Sequence, residues 1–171
     1  MDLTIKRAGF DDVPALVILV NSAYRGESSK AGWTTEADLL DGQRIDETML
    51  TELLANSKNT ILSASDNTGH MIACVYLQQN STTMYLGMLT VEPQLQAKGI
   101  GKQLMSAAEN FATEKGCLNI EMTVISIRHE LIAWYAKRGY LPTGATKPFP
   151  PDSKFGIAKR PLEFIVLNKQ L

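Results

Sequence analysis

Cysteine is nearly missing from this chain: Cys74 and Cys117 are the only two in 171 residues. Each lies in an apolar stretch without CxxC spacing, which argues against a disulfide framework and reads as small buried hydrophobes in a reducing compartment. Histidine is as scarce. His70 and His129 stand apart with no HxxxH spacing, so no metal site is expected. No run approaches the roughly 18 apolar residues of a membrane span, and Met1 to Arg7 lack the apolar region of a signal peptide. A soluble, cytoplasmic protein with no membrane partner is expected. An excess of one charge is missing too: 17 Lys and Arg face 18 Asp and Glu, for a net charge of -1. With no basic cluster to neutralise phosphates, nucleic acid is not an expected partner. Neither GxxxxGK[ST] nor GxGxxG occurs, which sets aside the common nucleotide-binding loops.

What is present suits one globular domain over residues 1–171, with 44% hydrophobic and 20% charged residues. Alternation predicts a strand over 2–7. Asp11-Asp12 are expected to cap a helix through Tyr24, with Pro14 in its first turn. A polar stretch from Arg25 to Arg44 follows, carrying Gly26, Gly32 and Gly42 around Trp33, with a short helix expected from Thr35 to Leu40. Asp46 caps a helix over 47–55. A three-strand meander is predicted over 60–65, 70–78 and 83–92, with Asp66-Asn67-Thr68-Gly69 and Asn80-Ser81 as turns. Ile100, Leu104, Ala107, Ala108 and Phe111 keep helical spacing up to Gly116. A strand over 118–125, a helix over 128–138 ending at Gly139, a strand near 140–142, a Pro/Lys-rich connection and a strand over 163–168 complete the order. Met71–Leu77 and Met84–Val91 are apolar on both parities, as befits central strands covered on both sides. Periodicity therefore gives a mixed α/β sheet with helices on both faces.

The informative segment runs from Leu86 to Lys102. An apolar strand ending at Val91-Glu92-Pro93 leads into Gln96-Ala97-Lys98-Gly99-Ile100-Gly101 and a helix start. Free backbone N–H groups and the positive end of a helix dipole converge there, a geometry that suits a pyrophosphate. Gly99-Ile100-Gly101 alone fits a mere tight turn equally well.

This Q/RxxGxG/A pattern resembles motif A of the GCN5-related N-acetyltransferase (GNAT) superfamily. About forty residues on, Leu131-Ile132-Ala133-Trp134-Tyr135-Ala136-Lys137-Arg138-Gly139-Tyr140 resembles its motif B, and the element order agrees over nearly the whole chain. The resemblance implies a mostly antiparallel sheet of about seven strands, splayed beside the motif-A strand. It implies acetyl-CoA as cosubstrate and a primary amine of a small metabolite or peptide as acceptor, joined by direct attack in a ternary complex. It further implies that Gln96, Ala97, Lys98, Gly99, Ile100, Gly101 and Lys102 hold the pyrophosphate. Leu89, Thr90 and Val91 line the pantetheine arm, which pairs with the main chain of Leu89 and Val91. Tyr135 matches the motif-B tyrosine that protonates the departing thiolate, and a backbone N–H near Leu89 would hold the oxyanion.

Two family features are absent. Tyr85 occupies the position where the histone-acetylating branch has a glutamate, so the general base stays unassigned, with a water chain or Tyr85 itself as relay. The Asn found in many members after the strand before motif B is replaced here by Val124-Ile125-Ser126-Ile127-Arg128, leaving Ser126 or Arg128 for its positioning role. On the acceptor side the expected residues are Tyr24, Arg25, Trp33 and Tyr85, with Thr34, Glu36 and Arg44 nearby, facing the loop Thr146 to Ile157. Residues 1–60 hold ten acids and six bases, a balance of −4 that would attract a cationic amine. Arg25 and Arg44 would instead pair a carboxylate, pointing to an amino-acid-like acceptor. A noncatalytic acyl-CoA sensor is the alternative reading of the whole, and the family's habits allow a homodimer.

Overall fold

The computed structural model describes residues 1–32, 34–150 and 156–171. Seven strands make one sheet: β1 (Thr4–Arg7), β3 (Asn59–Ser65), β4 (Met71–Asn80), β5 (Thr83–Val91), β6 (Asn119–Ile125), β9 (Glu163–Gln170) and β7 (Leu141–Pro148), in that spatial order. Every pairing is antiparallel except β5 with β6. A two-stranded piece, β2 (Leu40–Asp41) against β8 (Ile157–Ala158), lies apart from it.

Helices cover both faces. α1 (Val13–Tyr24) and α3 (Glu47–Ala55) send Leu16, Val20 and Leu50 against Ile61, Cys74 and Met88. On the other face α4 (Ile100–Glu114) packs Ile100, Leu104 and Ala108 against Ile72, Val75 and Leu86, and Tyr135 of α5 (His129–Ala136) joins that cluster. Ile72, Ala73, Cys74 and Val75 are all fully buried. A strand whose consecutive residues are buried must be covered on both sides, as its two-sided apolar pattern requires.

One irregularity in β5 matters for the site. Cys74 pairs with Thr90 and Tyr76 with Gly87, so Val75 of β4 faces two residues of β5, Met88 and Leu89. Met88 takes φ 52° to absorb the extra residue. An inserted residue inverts the alternation of a strand. Met84 and Leu86 accordingly belong to the cluster under α4, while Met88 belongs to the cluster under α1. β5 also loses its neighbour here: it pairs with β6 only from Thr83 to Tyr85, and the two strands then diverge. That splay leaves one edge of Leu86–Val91 without a strand partner.

Several elements end where their caps dictate. Asp46 Oδ1 accepts the Met49 N–H at 2.8 Å and starts α3. Gly116 and Gly139 take φ 78° and 91° after α4 and α5. Three expectations need correction. Asp12 stands at the start of α1, but its carboxylate accepts the Gly9 N–H at 2.8 Å rather than capping a helical N–H. The helix expected over 35–40 is a single turn, Leu39 and Leu40 N–H donating to Glu36 O, because Leu40 leaves to pair with Ala158. A short helix, α2 (Gly26–Ser29), stands earlier in that stretch. The Pro/Lys-rich connection begins as strand, since β7 runs on through Pro142 to Pro148. It bonds only β9, and an edge strand tolerates proline where an N–H would face solvent.

Candidate active site

Two hollows meet at the splay. The first is a groove of about 470 Å³ between the end of β5 and the start of α4. Its floor is made of Leu89, Thr90 and Val91, and its far wall of Gln96, Ala97, Gly99, Ile100, Gly101 and Lys102. The geometry of that wall follows from glycine. Gly99 stands at the α4 N-cap with φ 83°, a conformation most side chains resist, and Ala97, on the other side of Lys98, is also left-handed at 63°. The turn presents the N-terminus of a 15-residue helix to the groove. Gly101 faces the Trp134 indole, about 3.5 Å from where a Cβ would stand. Lys102 lines the groove, whereas Lys98 is exposed in the loop and is not among the lining residues.

The carbonyls of Leu89 and Val91, assigned above to pairing with an extended ligand, both accept side-chain donors. Tyr24 Oη donates to Leu89 O at 2.6 Å, and Gln96 Nε2 to Val91 O at 3.1 Å. These two donors stand in for the strand that β5 lacks on this side.

The second hollow, about 570 Å³, lies under α1 and α3 and beside β6. Met49, Leu53, Met122, Phe149 and Phe164 give it an apolar body, with the two phenylalanine rings 5.4 Å apart. Tyr85, Arg25, Glu36, Arg44 and Arg128 are its polar groups near the splay. Tyr85 Oη shares a hydrogen bond with Thr123 Oγ1 at 3.2 Å, and its ring meets Tyr76 edge-on. Of the expected stiff loop, Phe149 and Pro150 line this cavity. Residues 151–155 and Trp33, the latter expected on the acceptor side, lie outside the described residues.

A buried ionic cluster ties the cavity wall together. Arg25 donates through Nε (3.1 Å) and Nη2 (2.8 Å) to Glu36 Oε2, and Arg128 Nη1 donates to Glu36 Oε1 at 3.2 Å. Arg128 Nη2 also bonds Thr34 Oγ1. Arg25, Glu36 and Arg128 are 5%, 8% and 5% exposed. The cluster joins the end of α1 and the loop after it to the β6–α5 connection, where Arg128 lies 92 residues beyond Glu36.

Tyr24, Leu89, Arg128, Leu131 and Tyr135 border both hollows. Tyr135 packs edge-on against Trp134 and Tyr140, and its hydroxyl has no hydrogen-bond partner among the described residues. Burial raises its pKa well above the ordinary 10.0 and pushes Tyr24 up to about 12, so both phenols keep their protons through the neutral range. Cys74 is equally buried, its thiol pushed up to about 12, and a thiolate there would be costly.

Sequence reasoning gave no role to Arg138, which lines the groove with its guanidinium 3.5 Å from the Trp134 ring centroid. The signal was the four-residue spacing of Trp134 and Arg138, which puts them on one helix face. The joint use of Glu36 by Arg25 and Arg128 left no such local trace. Among the described residues no three potential metal-ligating side chains cluster, and no helix is long and apolar enough to cross a membrane.

Residues 17–140 match a family model described as the acetyltransferase (GNAT) family. No curated protein matches the sequence. Among solved structures the chain is similar to the PaiA N-acetyltransferase of Thermoplasma acidophilum in complex with coenzyme A, at TM-score 0.74 and 20% identity over 100% of both chains. It is similar to the ribosomal-protein-S18-alanine N-acetyltransferase of Escherichia coli at TM-score 0.73 and 16% identity, over 99% of this chain and 94% of that one. The yncA protein of Salmonella typhimurium, described with its cofactor acetyl-CoA, matches at TM-score 0.72 and 20% identity, over 100% and 95%. At these identities the likeness is one of fold.

Proposed function

The chain belongs to the GNAT acetyltransferase family, and from that premise we propose that it moves an acetyl group from acetyl-CoA to a primary amine of a small metabolite or peptide within a ternary complex. The observation that carries this is the junction: Tyr135, its hydroxyl without a partner among the described residues, borders both the groove and the cavity. A donor-side hollow and an acceptor-side hollow that share a wall suit direct transfer.

The groove residues fit the cosubstrate. Backbone N–H groups at Gly99 to Lys102 face the pyrophosphate, helped by the helix dipole, Lys102 and Arg138. The edge of β5 left open by the splay receives the pantetheine arm as an added strand would. Tyr24 and Gln96 hold the Leu89 and Val91 carbonyls on that edge, so they yield to the arm's own donors or share the second lone pair of each carbonyl.

The amine lone pair forms the new C–N bond at the thioester carbon, and the C–S bond breaks as the tetrahedral species collapses. The main chain at the β5 bulge, near Leu89, carries the donor for the oxyanion. Tyr135 delivers its proton to the departing sulfur. Because burial has raised the phenol, transfer depends on a thiolate made equally basic by the same dry surroundings. The amine enters the attack uncharged; its nitrogen, cationic in the tetrahedral species, then gives its surplus proton to solvent and keeps the amide hydrogen, while Tyr135 regains a proton from solvent.

The test is thiol release from acetyl-CoA with a panel of amino acids, polyamines and peptides, comparing wild type with Tyr135→Phe. The expected result is turnover on one class and a fall in kcat of about a hundredfold or more in the variant, with acetyl-CoA binding retained. Tight acetyl-CoA binding with no turnover on any amine would leave a sensor instead.

A further inference from the structure

The cavity beside β6 is lined by aromatic rings, and the polar side chains around them are already engaged. Tyr76 of β4 and Tyr85 of β5 meet edge-on at 6.2 Å, and Phe164 of β9 packs against Phe149 at 5.4 Å. Gly87 leaves the space that the two tyrosines occupy, since a Cβ there would stand 3.0 Å from Tyr85 Cε1 and 3.5 Å from Tyr76 Cδ1. Met49 and Leu53 of α3 add apolar lining. The polar groups bond to protein. Tyr76 Oη donates to Asn59 Oδ1 at 2.9 Å, Asn59 Nδ2 to Leu53 O at 2.9 Å, and Tyr85 Oη shares its bond with Thr123 Oγ1. Arg25 and Arg128 are both held by Glu36. Arg44 is engaged as well, with its guanidinium 5.6 Å from the Tyr24 ring centroid. Arg128 Nε is buried without a hydrogen-bond partner, but Glu130 Oε1 lies 3.7 Å from it. Among the described residues the carboxylates on the lining are Glu36, paired twice, and Glu52, exposed on α3.

We propose that the acceptor is a hydrophobic primary amine whose one bulky group, aromatic or alkyl, fills this cavity and which carries no second charge. The reading rests on the proposed acetyl transfer and names the substrate class for that site.

Three considerations converge on it. A polar tail would give up its water for side chains that already have partners, and would be left buried and poorly satisfied. An apolar tail gains from the rings, Met49 and Leu53 without that loss. A second ammonium would meet a Glu36 already neutralised by two arginines, which disfavours polyamines despite the acidic balance of residues 1–60. The volume of about 570 Å³ lies in the range of small-molecule sites, and the cavity adjoins the groove through Leu89, Leu131 and Tyr135. A ligand held there therefore stands next to the thioester. The same lining bears on the unassigned base. Burial disfavours an ammonium ion, so a hydrophobic amine enters the cavity uncharged where Tyr85 offers no carboxylate to deprotonate it.

The experiment measures kcat/KM for propylamine to hexylamine with the full chain and acetyl-CoA, and for matched pairs in which one group changes. Hexylamine is set against cadaverine and aminopentanol, and phenethylamine against L-phenylalanine, with rates referred to the uncharged amine present. The expected result is a rise of about threefold to fourfold per methylene, the effect of burying one CH₂ group. Each polar partner should be worse by at least about tenfold. Leu53→Asn should lower the hexylamine value by at least about threefold more than the propylamine value, with little change in acetyl-CoA KM, because Leu53 lines the cavity and not the groove. A flat series, a preference for any polar partner, or an unchanged series in a Leu53→Asn variant that binds acetyl-CoA overturns the proposal. Octanoyl-CoA outpacing acetyl-CoA on propylamine would assign the apolar lining to the acyl chain and overturn it too. If the variant does not fold, the wild-type series decides alone.

Titrating the CoA-loaded protein with N-propylacetamide and N-hexylacetamide, the expected products, separates the two readings. Tighter binding of the hexyl compound with no turnover of any amine supports the hydrophobic site and removes the transfer reaction. Turnover without a dependence on methylene number removes the hydrophobic site and leaves the transfer. Binding of neither compound, or equal binding of both, counts against the site as proposed.

Discussion

The groove beside α4 and the cavity beside β6 share a wall but are made differently. One side of the groove is built of main chain, a strand edge, a left-handed glycine and a helix N-terminus, all between Leu89 and Lys102, and side chains such as Tyr24, Trp134 and Arg138 close the other. The cavity is built of side chains brought together from α1, the following loop, α3, β6 and the tail. A site made of backbone depends on conformation, which a few glycines encode locally. A site made of side chains depends on tertiary packing, which no short motif encodes. The groove can therefore keep its form while the cavity varies around it.

The difference can be broken first at Glu36. Glu36→Ala leaves two buried guanidinium groups without their carboxylate, and a loss of about 3–5 kcal/mol of stability is expected by urea unfolding. A loss below about 1 kcal/mol would mean that the arginines find water, and the cavity wall would not be the dry charged surface described above.

The groove is sharpened by two glycines that work in different ways. Gly99→Ala must hold φ 83° with a Cβ, so it should lose about 1–2 kcal/mol of stability. Gly101 lies within a helix with room for a Cβ beside Trp134. Gly101→Ala should thus keep stability within about 0.5 kcal/mol of wild type, or gain slightly from helix propensity. Its acetyl-CoA affinity should nonetheless fall, by about tenfold, since the added methyl stands at the helix start proposed to hold the phosphates. Equal affinity in Gly101→Ala and wild type would place the pyrophosphate elsewhere.

Much of the fold was legible because its signals are local. Asp46 predicted the start of α3, Gly116 and Gly139 the ends of α4 and α5, and the two-sided apolar pattern of β4 its central place in the sheet. The illegible parts depend on partners distant in sequence. β2 exists because Leu40 meets Ala158, and β7 extends through two prolines because β9 lies alongside it. The bulge at Met88 has no sequence signature, since a methionine at φ 52° is set by the opposing strand rather than by its own preference. In the site, Gln96 to Gly101 could be read as a unit. Arg25, Glu36 and Arg128 could be named singly, but their joint cluster appears only when the chain has folded.

The most direct test of two adjoining hollows with Tyr135 between them is a crystal structure of the protein with CoA. It should place the pyrophosphate against Gly99 to Lys102, the pantetheine arm along Leu89 to Val91, and the sulfur within hydrogen-bond reach of Tyr135 Oη. Phosphates bound away from the α4 N-terminus, or a sulfur directed away from Tyr135 and the cavity, would contradict it.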